Sequence, residues 1–338
     1  MGKRLCLWIC FLMLTGVSLA QDSLISADEF EEFSGDSVIT SISSAGSTEI
    51  HKNATHADIY WTLAILLLTA GAGLLFRFKT TRQLRSMFLV LSIVILGFYR
   101  GGCPCSIQSF QHGILWLTGN PVRWPSLILF AGLLPVTYFF GRVYCGWICQ
   151  LGALQEFIFK TSSIRIFQSE GSQKIMRGIR ILALFILISQ LLISQTNLYR
   201  HIDPFAIIYN FYSEYYIGWI LVAIILISSF LVYRPFCKTI CPVGLALGWV
   251  SKIPGASVLG VKESCTPCTL CSKSCSINAI TNDKKISILD NQECIRCGEC
   301  MNSCRKNAFT FYRKNQWRLS KIVCKPFPPV IKMEQRSA

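Results

Sequence analysis

Five apolar stretches, at about 59–76, 86–99, 126–141, 179–195 and 215–233, interrupt the polar segments of this 338-residue chain. Several lie near the lower limit of the ~17–25 residues a spanning helix needs, and the second is shorter still. Aromatic residues mark their edges: Tyr60, Trp61, Tyr99, Trp124, Tyr199, Tyr215, Tyr216 and Tyr233. Such belts form where a helix passes the lipid headgroups. The pattern predicts an α-helical membrane bundle of about five transmembrane helices over residues 59–250. Ahead of it, residues 1–20 read as a signal peptide. Lys3 and Arg4 precede a short apolar run from Leu5 to Leu14, and small Ser18 and Ala20 follow. An uncleaved first membrane helix is the alternative. Residues 21–58 are polar, Ser-rich and acidic, with Asp28, Glu29, Glu31 and Glu32 close together, and predict a flexible external arm.

Composition agrees with this division. The chain is 52% hydrophobic and only 15% charged, against ~25% charged in soluble globular proteins. That excludes a disordered chain and fits an ordinary soluble enzyme poorly. The formal net charge of +15 is compatible with nucleic acid, an anionic membrane or an acidic partner, and its distribution separates these. Arg77, Lys79, Arg82 and Arg85 crowd the link between the first two stretches. Arg142, Lys160, Arg165, Lys174, Arg177 and Arg180 fill the link between the third and fourth, whereas residues 100–123 carry only Arg100 and Arg123. By the positive-inside rule the mature N-terminus is external, and the chain from Arg234 onward is cytoplasmic. The charge therefore reads as a topology signal, with no nucleic-acid partner. The basic tail at 313–338, with Arg313, Lys314, Arg318, Lys321, Lys325 and Lys332, suits contact with anionic membrane lipid.

Seventeen cysteines then add a chemistry. Cys265, Cys268, Cys271 and Cys275 follow the spacing C-x-x-C-x-x-C-x-x-x-C, and Cys294, Cys297, Cys300 and Cys304 repeat it 29 residues later. The repeat continues past the cysteines, Asn278-Ala279-Ile280 matching Asn307-Ala308-Phe309. Zinc also accepts four thiolates, but it needs only paired C-x-x-C units, not a third evenly spaced cysteine twice over. Residues 263–310 resemble a bacterial two-cluster ferredoxin. That resemblance implies a small α+β domain over 251–312 holding two [4Fe–4S] clusters. In that family the fourth cysteine of each run reaches across to the other cluster. By resemblance, one cluster takes Cys265, Cys268, Cys271 and Cys304, and the other Cys294, Cys297, Cys300 and Cys275. The family's proline after each fourth cysteine is replaced here by Ser276 and Arg305.

A second repeat follows the third and fifth apolar stretches. Arg142-Val-Tyr-Cys145-Gly-Trp-Ile-Cys149-Gln-Leu-Gly152 matches Arg234-Pro-Phe-Cys237-Lys-Thr-Ile-Cys241-Pro-Val-Gly244, every pair offset by 92 residues. Cysteines at i and i+4 share one helix face, so two such faces predict one four-thiol site able to hold a further cluster or another metal. Membrane helices, two such segments and a ferredoxin tail together resemble the NapH/NosR type of membrane iron–sulfur protein over residues 60–310. Gln150 departs from that family's C-x-x-x-C-P pattern, and residues 21–58 are too few and too polar for the external flavin domain of the NosR branch. The resemblance implies a bacterial inner-membrane protein passing electrons between the quinone pool, or a cytoplasmic reductant, and a periplasmic redox protein. Part of a quinol dehydrogenase is one form of this. The alternative is a redox-dependent assembly or regulatory factor for a metalloenzyme.

Gly101-Gly102-Cys103-Pro104-Cys105 follows the second stretch, with His112 nearby. Cys103 and Cys105 form a candidate external redox pair, a labile disulfide or a metal site with His112 being its two forms. A structural thiol pair is the plainer reading. The absence of C-x-x-C-H gives c-type haem no support.

Overall fold

The computed structural model describes residues 56–102, 105–162, 169–195, 203–211, 215–261, 265, 268–283, 286–313 and 321–323. The signal-peptide expectation, the external arm up to residue 55, most of the basic tail, and Cys103 lie outside the described residues; residues 56–58, expected in the arm, are helical. The chain divides into units 1–57 and 58–338, and the contacts below all fall within the second.

Three helical segments are long and apolar enough to cross a membrane, Asp58–Leu75, Thr81–Tyr99 and Gly171–Ser194, and two shorter apolar helices accompany them. α1 (His56–Leu75) opens the bundle. A 3₁₀ turn leads into α2 (Arg85–Ser92), which continues as a π-helical turn over Ile93–Tyr99. Then come α3 (Ser106–Leu117), α4 (Trp124–Phe140), α5 (Gln150–Thr161) and α6 (Glu170–Ser194). α7 (Pro204–Asn210), α8 (Tyr216–Leu231), α9 (Pro235–Thr239) and α10 (Pro242–Val250) complete the helical part. Leu67, Phe185 and Ile193 on the long helices and Ile220 on a shorter one stand exposed. An apolar outer surface on helices whose backbone groups are internally bonded is what lipid contact requires.

The 92-residue offset extends well beyond the cysteine segments. It lays Thr81–Tyr99 over α6, α4 over α8, and α5 over α10, leaving α1 outside the repeat. Each half thus supplies a long helix, a short helix (α3 or α7), a second apolar helix, the cysteine segment and a closing helix. The short helices enter the bundle: α7 begins with Pro204 at its first turn and Asp203 as its cap, whose carboxylate accepts from the Phe205 N–H at 3.0 Å. Gly102, at φ 80°, turns the chain against Phe205 and Tyr209. A side chain there would be strained and obstructed at once.

The C-terminal part is α+β, a second internal repeat. β1 (Ser257–Val261) pairs antiparallel with β4 (Phe309–Arg313), Leu259 opposite Phe311. β2 (Ile280–Asp283), β3 (Ile286–Asp290) and β5 (Lys321–Val323) form a second sheet in the order β2-β3-β5. One-turn helices α11 (Leu270–Lys273) and α12 (Glu299–Asn302) occupy equivalent places 29 residues apart. Each follows a residue in left-handed conformation, Thr269 and Gly298, and Asn278 and Asn307 form a second such pair. The hydroxyls of Ser274 and its repeat partner Ser303 meet at 2.8 Å.

This part packs directly onto the helical bundle. The Trp147 indole N–H donates to the Arg296 carbonyl at 3.0 Å, and the Arg296 guanidinium donates to the Ser257 carbonyl at 2.7 Å. Tyr138 donates to the Pro254 carbonyl at 3.1 Å. Gly141 ends α4 at φ 80° with the Arg296 side chain where a Cβ would lie.

Candidate metal centre

The ferredoxin-like cysteines fall into two groups. A cavity of about 260 Å³ is lined by Cys265, Cys268, Cys271 and Cys304, with Val261, Leu270, Ile280, Leu289 and Phe309 as an apolar sheath. These four thiols come from both runs, the fourth arriving from the second. Cys275 joins Cys294, Cys297 and Cys300, close enough that the four act on one another's ionisation. The Ala279 N–H donates to Cys275 Sγ at 3.3 Å, and its counterpart Ala308 N–H donates to Cys304 Sγ at 3.4 Å. The left-handed Asn278 and Asn307 make these bonds by turning the chain back over the preceding sulfur.

The membrane-side cysteines converge as well, but not by sharing a helix face. Cys145 lies in a π-helical turn, Tyr144–Ile148, and Cys237 in α9, while Cys149 and Cys241 are extended N-caps of α5 and α10. Each pair straddles an interruption of the helix, with the second cysteine extended at the point where the next helix begins. Gly244 N–H donates to Cys241 Sγ at 3.4 Å, and Gly152 N–H makes the equivalent bond to Cys149. Cys145, Cys149, Cys237 and Cys241 line one narrow cavity of about 20 Å³. That is room for about one water, so seating a cube there requires the four side chains to part. Gln150, standing where its repeat partner Pro242 does, extends its amide to the Gly102 carbonyl at 3.3 Å.

Arginines cross between the halves around this cavity. Arg234 lies where a Cβ on Gly152 would be 2.9 Å from its Nη1, and it donates to the Cys145 carbonyl. A Cβ on Gly244 would likewise be 3.0 Å from Arg142 Nη2, and Arg142 donates to the Gln292 carbonyl. Arg180 donates to the Cys237 carbonyl at 3.2 Å. Arg142, Arg180 and Arg234 were expected as loop charges of the cytoplasmic side, yet all three are buried. Of their counter-charges, Glu156 is buried and Glu293 half-buried. Glu156 receives Arg85 at 2.9 and 2.6 Å, Arg234 at 2.7 Å, the Tyr233 hydroxyl at 2.7 Å and Lys160 at 3.1 Å. Glu293 pairs with Arg180, with Arg177 at 3.2 Å and with Arg142 at 3.7 Å. The sequence reading missed this network. Its one visible signal was an arginine three residues before the first cysteine of each pair.

Burial pushes the thiols of Cys241 and Cys275 up to about 12. Burial likewise raises Cys237 and Cys297, opposed by Arg234 and Arg85 respectively. Thiols in such surroundings ionise when a metal shares the site, and sets of four suit iron–sulfur groups. The donor sets therefore fit the cofactors that the sequence implies. Among the described residues no preformed group of three or more metal-binding side chains is found at coordination geometry.

Cys105, expected on an external loop, is buried and caps α3. Its neighbour Ser106 lines the membrane-side cavity with Phe205 and bonds the Tyr144 side chain. Asp203 bonds the Cys105 side chain, and burial raises its carboxyl to about 6. His112 is half-buried on α3. The bundle does not separate Cys105 from the four-thiol cavity by a membrane thickness.

Comparison with known proteins places these segments. A family model described as a 4Fe-4S binding domain matches residues 122–167 and 216–260, the two halves of the membrane-side site. The regulatory protein NosR of Pseudomonas aeruginosa is 28% identical over 253 residues, covering 69% of this chain and 34% of that protein. Protein NirI of Paracoccus denitrificans is 24% identical over 72% of this chain and 37% of its own length. The uncharacterized protein MJ0750 of Methanocaldococcus jannaschii is 31% identical over 167 residues, 47% of this chain and 67% of that protein. The chain spans about a third of the length of the NosR relatives it matches. No solved structure matches. The chain belongs to the family of MJ0750, and at the superfamily level to the NapH/NosR-like membrane iron–sulfur proteins.

Proposed function

We propose that this protein is a five-span membrane iron–sulfur relay serving redox-dependent regulation or assembly of a partner metalloenzyme. The observation that carries the reading is contact between cysteine sites. Gly146, between Cys145 and Cys149, lies against the Ile295 carbonyl, between Cys294 and Cys297, leaving no room for a Cβ. Ile295 also lines the membrane-side cavity. When bound, iron–sulfur groups supply one-electron transfer. The chain's own part is to hold Cys265, Cys268, Cys271 and Cys304 in one site. Cys275, Cys294, Cys297 and Cys300 form the next, and Cys145, Cys149, Cys237 and Cys241 a third at the bundle. The arginine distribution supports a cytoplasmic ferredoxin-like domain (251–312) and an external N-terminus. The regulatory description of the NosR relative favours a regulatory task over sustained respiratory turnover.

Sustained electron transfer to a periplasmic partner, with quinone or a cytoplasmic reductant as donor, is the second reading. The place of Cys105 beside the membrane-side cavity favours it. Anaerobically purified full-length protein tests the proposal by iron and sulfide content with EPR. About eight irons load the tail alone, and about twelve add a cube at the membrane site. Quinol-dependent reduction at respiratory rates selects the second reading, and colourless, iron-free protein overturns both.

A further inference from the structure

One carboxylate lies between two of these cysteine sites. Glu156 is buried on α5 and holds Arg85 on one side and Arg234 on the other. Arg85 reaches toward the ferredoxin-like domain. Its Nη1 lies 3.8 Å from Glu299, its Nε donates to the Gly146 carbonyl at 3.0 Å, and its charge acts on the Cys297 thiol. Arg234 donates to the adjacent Cys145 carbonyl and, unlike Arg85, lines the four-thiol cavity. The Tyr233 hydroxyl donates to the same carboxylate. Every member is buried, so solvent screens these charges little.

We propose that Arg85–Glu156–Arg234 is a positioning triad that sets the reduction potentials of the two sites it joins. One end acts on the group held by Cys275, Cys294, Cys297 and Cys300, the other on the group held by Cys145, Cys149, Cys237 and Cys241. The inference rests on the reading that both sites carry iron–sulfur groups. The sign follows from charge alone. Reduction by one electron adds a negative charge to the thiolate-ligated group, so a guanidinium beside it favours the reduced form and raises the potential. Glu156 offsets both guanidiniums and holds both potentials down. A single carboxylate between two cations also couples the sites, since its loss is felt at each.

The test is an anaerobic redox titration of the full-length protein in detergent, with dithionite as electron donor and EPR as readout. Iron content of each variant is measured alongside. Glu156→Gln is expected to raise both potentials, each by about tenfold in the one-electron equilibrium, which is ~59 mV. Arg234→Gln lowers only the membrane-side potential, and Arg85→Gln lowers only that of the Cys297 site. Arg234→Lys and Arg85→Lys keep the charge and restore wild-type potentials, which also serves if the Gln variants fold poorly. The site lined by Cys265 and Cys304 stays unmoved in every variant. A purely structural triad would lower iron content or thermal stability while the loaded protein keeps its potentials, and that result overturns the inference. Wild-type protein with only about eight irons overturns the three-site reading itself, and the inference with it.

Discussion

Replacing Gly146 with alanine adds one methyl group where the helical bundle meets the ferredoxin-like domain. A Cβ there would run into the Ile295 carbonyl oxygen and sit 3.7 Å from the Arg296 carbonyl carbon. Gly146 does not have a left-handed φ, so alanine brings no backbone strain and the whole effect is steric. Forcing a methyl into a packed contact costs about 1–3 kcal/mol. The Ile295–Arg296 segment can move only by stretching the 3.0 Å bond from Trp147 to the Arg296 carbonyl, which adds about 0.5–1.5 kcal/mol. The expected destabilisation is therefore about 1.5–4.5 kcal/mol, concentrated at the interface. Hydrogen exchange over residues 293–298 reads the local part, and thermal unfolding in detergent reads the total. Gly178→Ala is the control. It lies inside α6 with nothing within 4 Å of the added atom, so it should be neutral or stabilising by up to about 1 kcal/mol. If Gly146→Ala melts and exchanges like the wild type, the two parts do not meet through this loop and the relay loses its physical basis.

Cys304→Ser should erase the same EPR signal as Cys265→Ser, because both thiols line one cavity. A signal shared instead with Cys300→Ser would show that each run ligates its own cluster. Asn307→Val forces a β-branched residue into a φ of 47°, at a cost of about 1–3 kcal/mol, whereas Asn307→Gly should be tolerated; equal unfolding temperatures would refute this. Burial raises the Asp203 carboxyl from 3.8 to about 6, so the folded chain binds this proton more tightly than the unfolded one. That contribution is fully present below about pH 4 and is lost as pH rises through 6, on the order of 3 kcal/mol in all. Asp203→Asn should remove this slope from the unfolding temperature between about pH 4 and 6 and stabilise the protein above it. Parallel profiles for the two proteins would rule the assignment out.

The sequence revealed the periodic features and concealed those that depend on contact. The apolar runs are legible because lipid and helix geometry impose length and composition on each span separately. The thiol sets are legible because ligation fixes spacing. The crossover of Cys304 to the first run is implied only by the resemblance to two-cluster ferredoxins, since a repeat alone is equally compatible with each run holding its own cluster. The arginines were read differently from the way they are used. Arg85, Arg142 and Arg180 stand beside apolar stretches and look like loop charges that orient the bundle. The structure buries them against Glu156, Glu293 and cysteine carbonyls. A one-dimensional pattern cannot distinguish a solvated cation from one paired with a carboxylate far along the chain. Cys105 shows the same limit. Its position after a span predicts the outside, whereas the short helices α3 and α7 carry the chain back into the bundle beside the four-thiol cavity.

The two halves of the membrane-side site are not equivalent in how their charge is balanced. Arg234 finds Glu156 within the bundle, but the residue 92 positions after Glu156 is Gly248. Arg142 and Arg180 instead find Glu293, which belongs to the ferredoxin-like part. During synthesis both cysteine segments are therefore complete while two of their arginines still await a carboxylate that emerges later. Assembly has an order built into it, with the last domain closing an electrostatic gap left by the membrane part. A chain cut after α10 would leave Arg142 and Arg180 without that carboxylate, and Arg142 without the Gln292 carbonyl to which it donates. The tail is thus not a detachable ferredoxin, and a chimera exchanging it between relatives must bring a carboxylate to the place of Glu293.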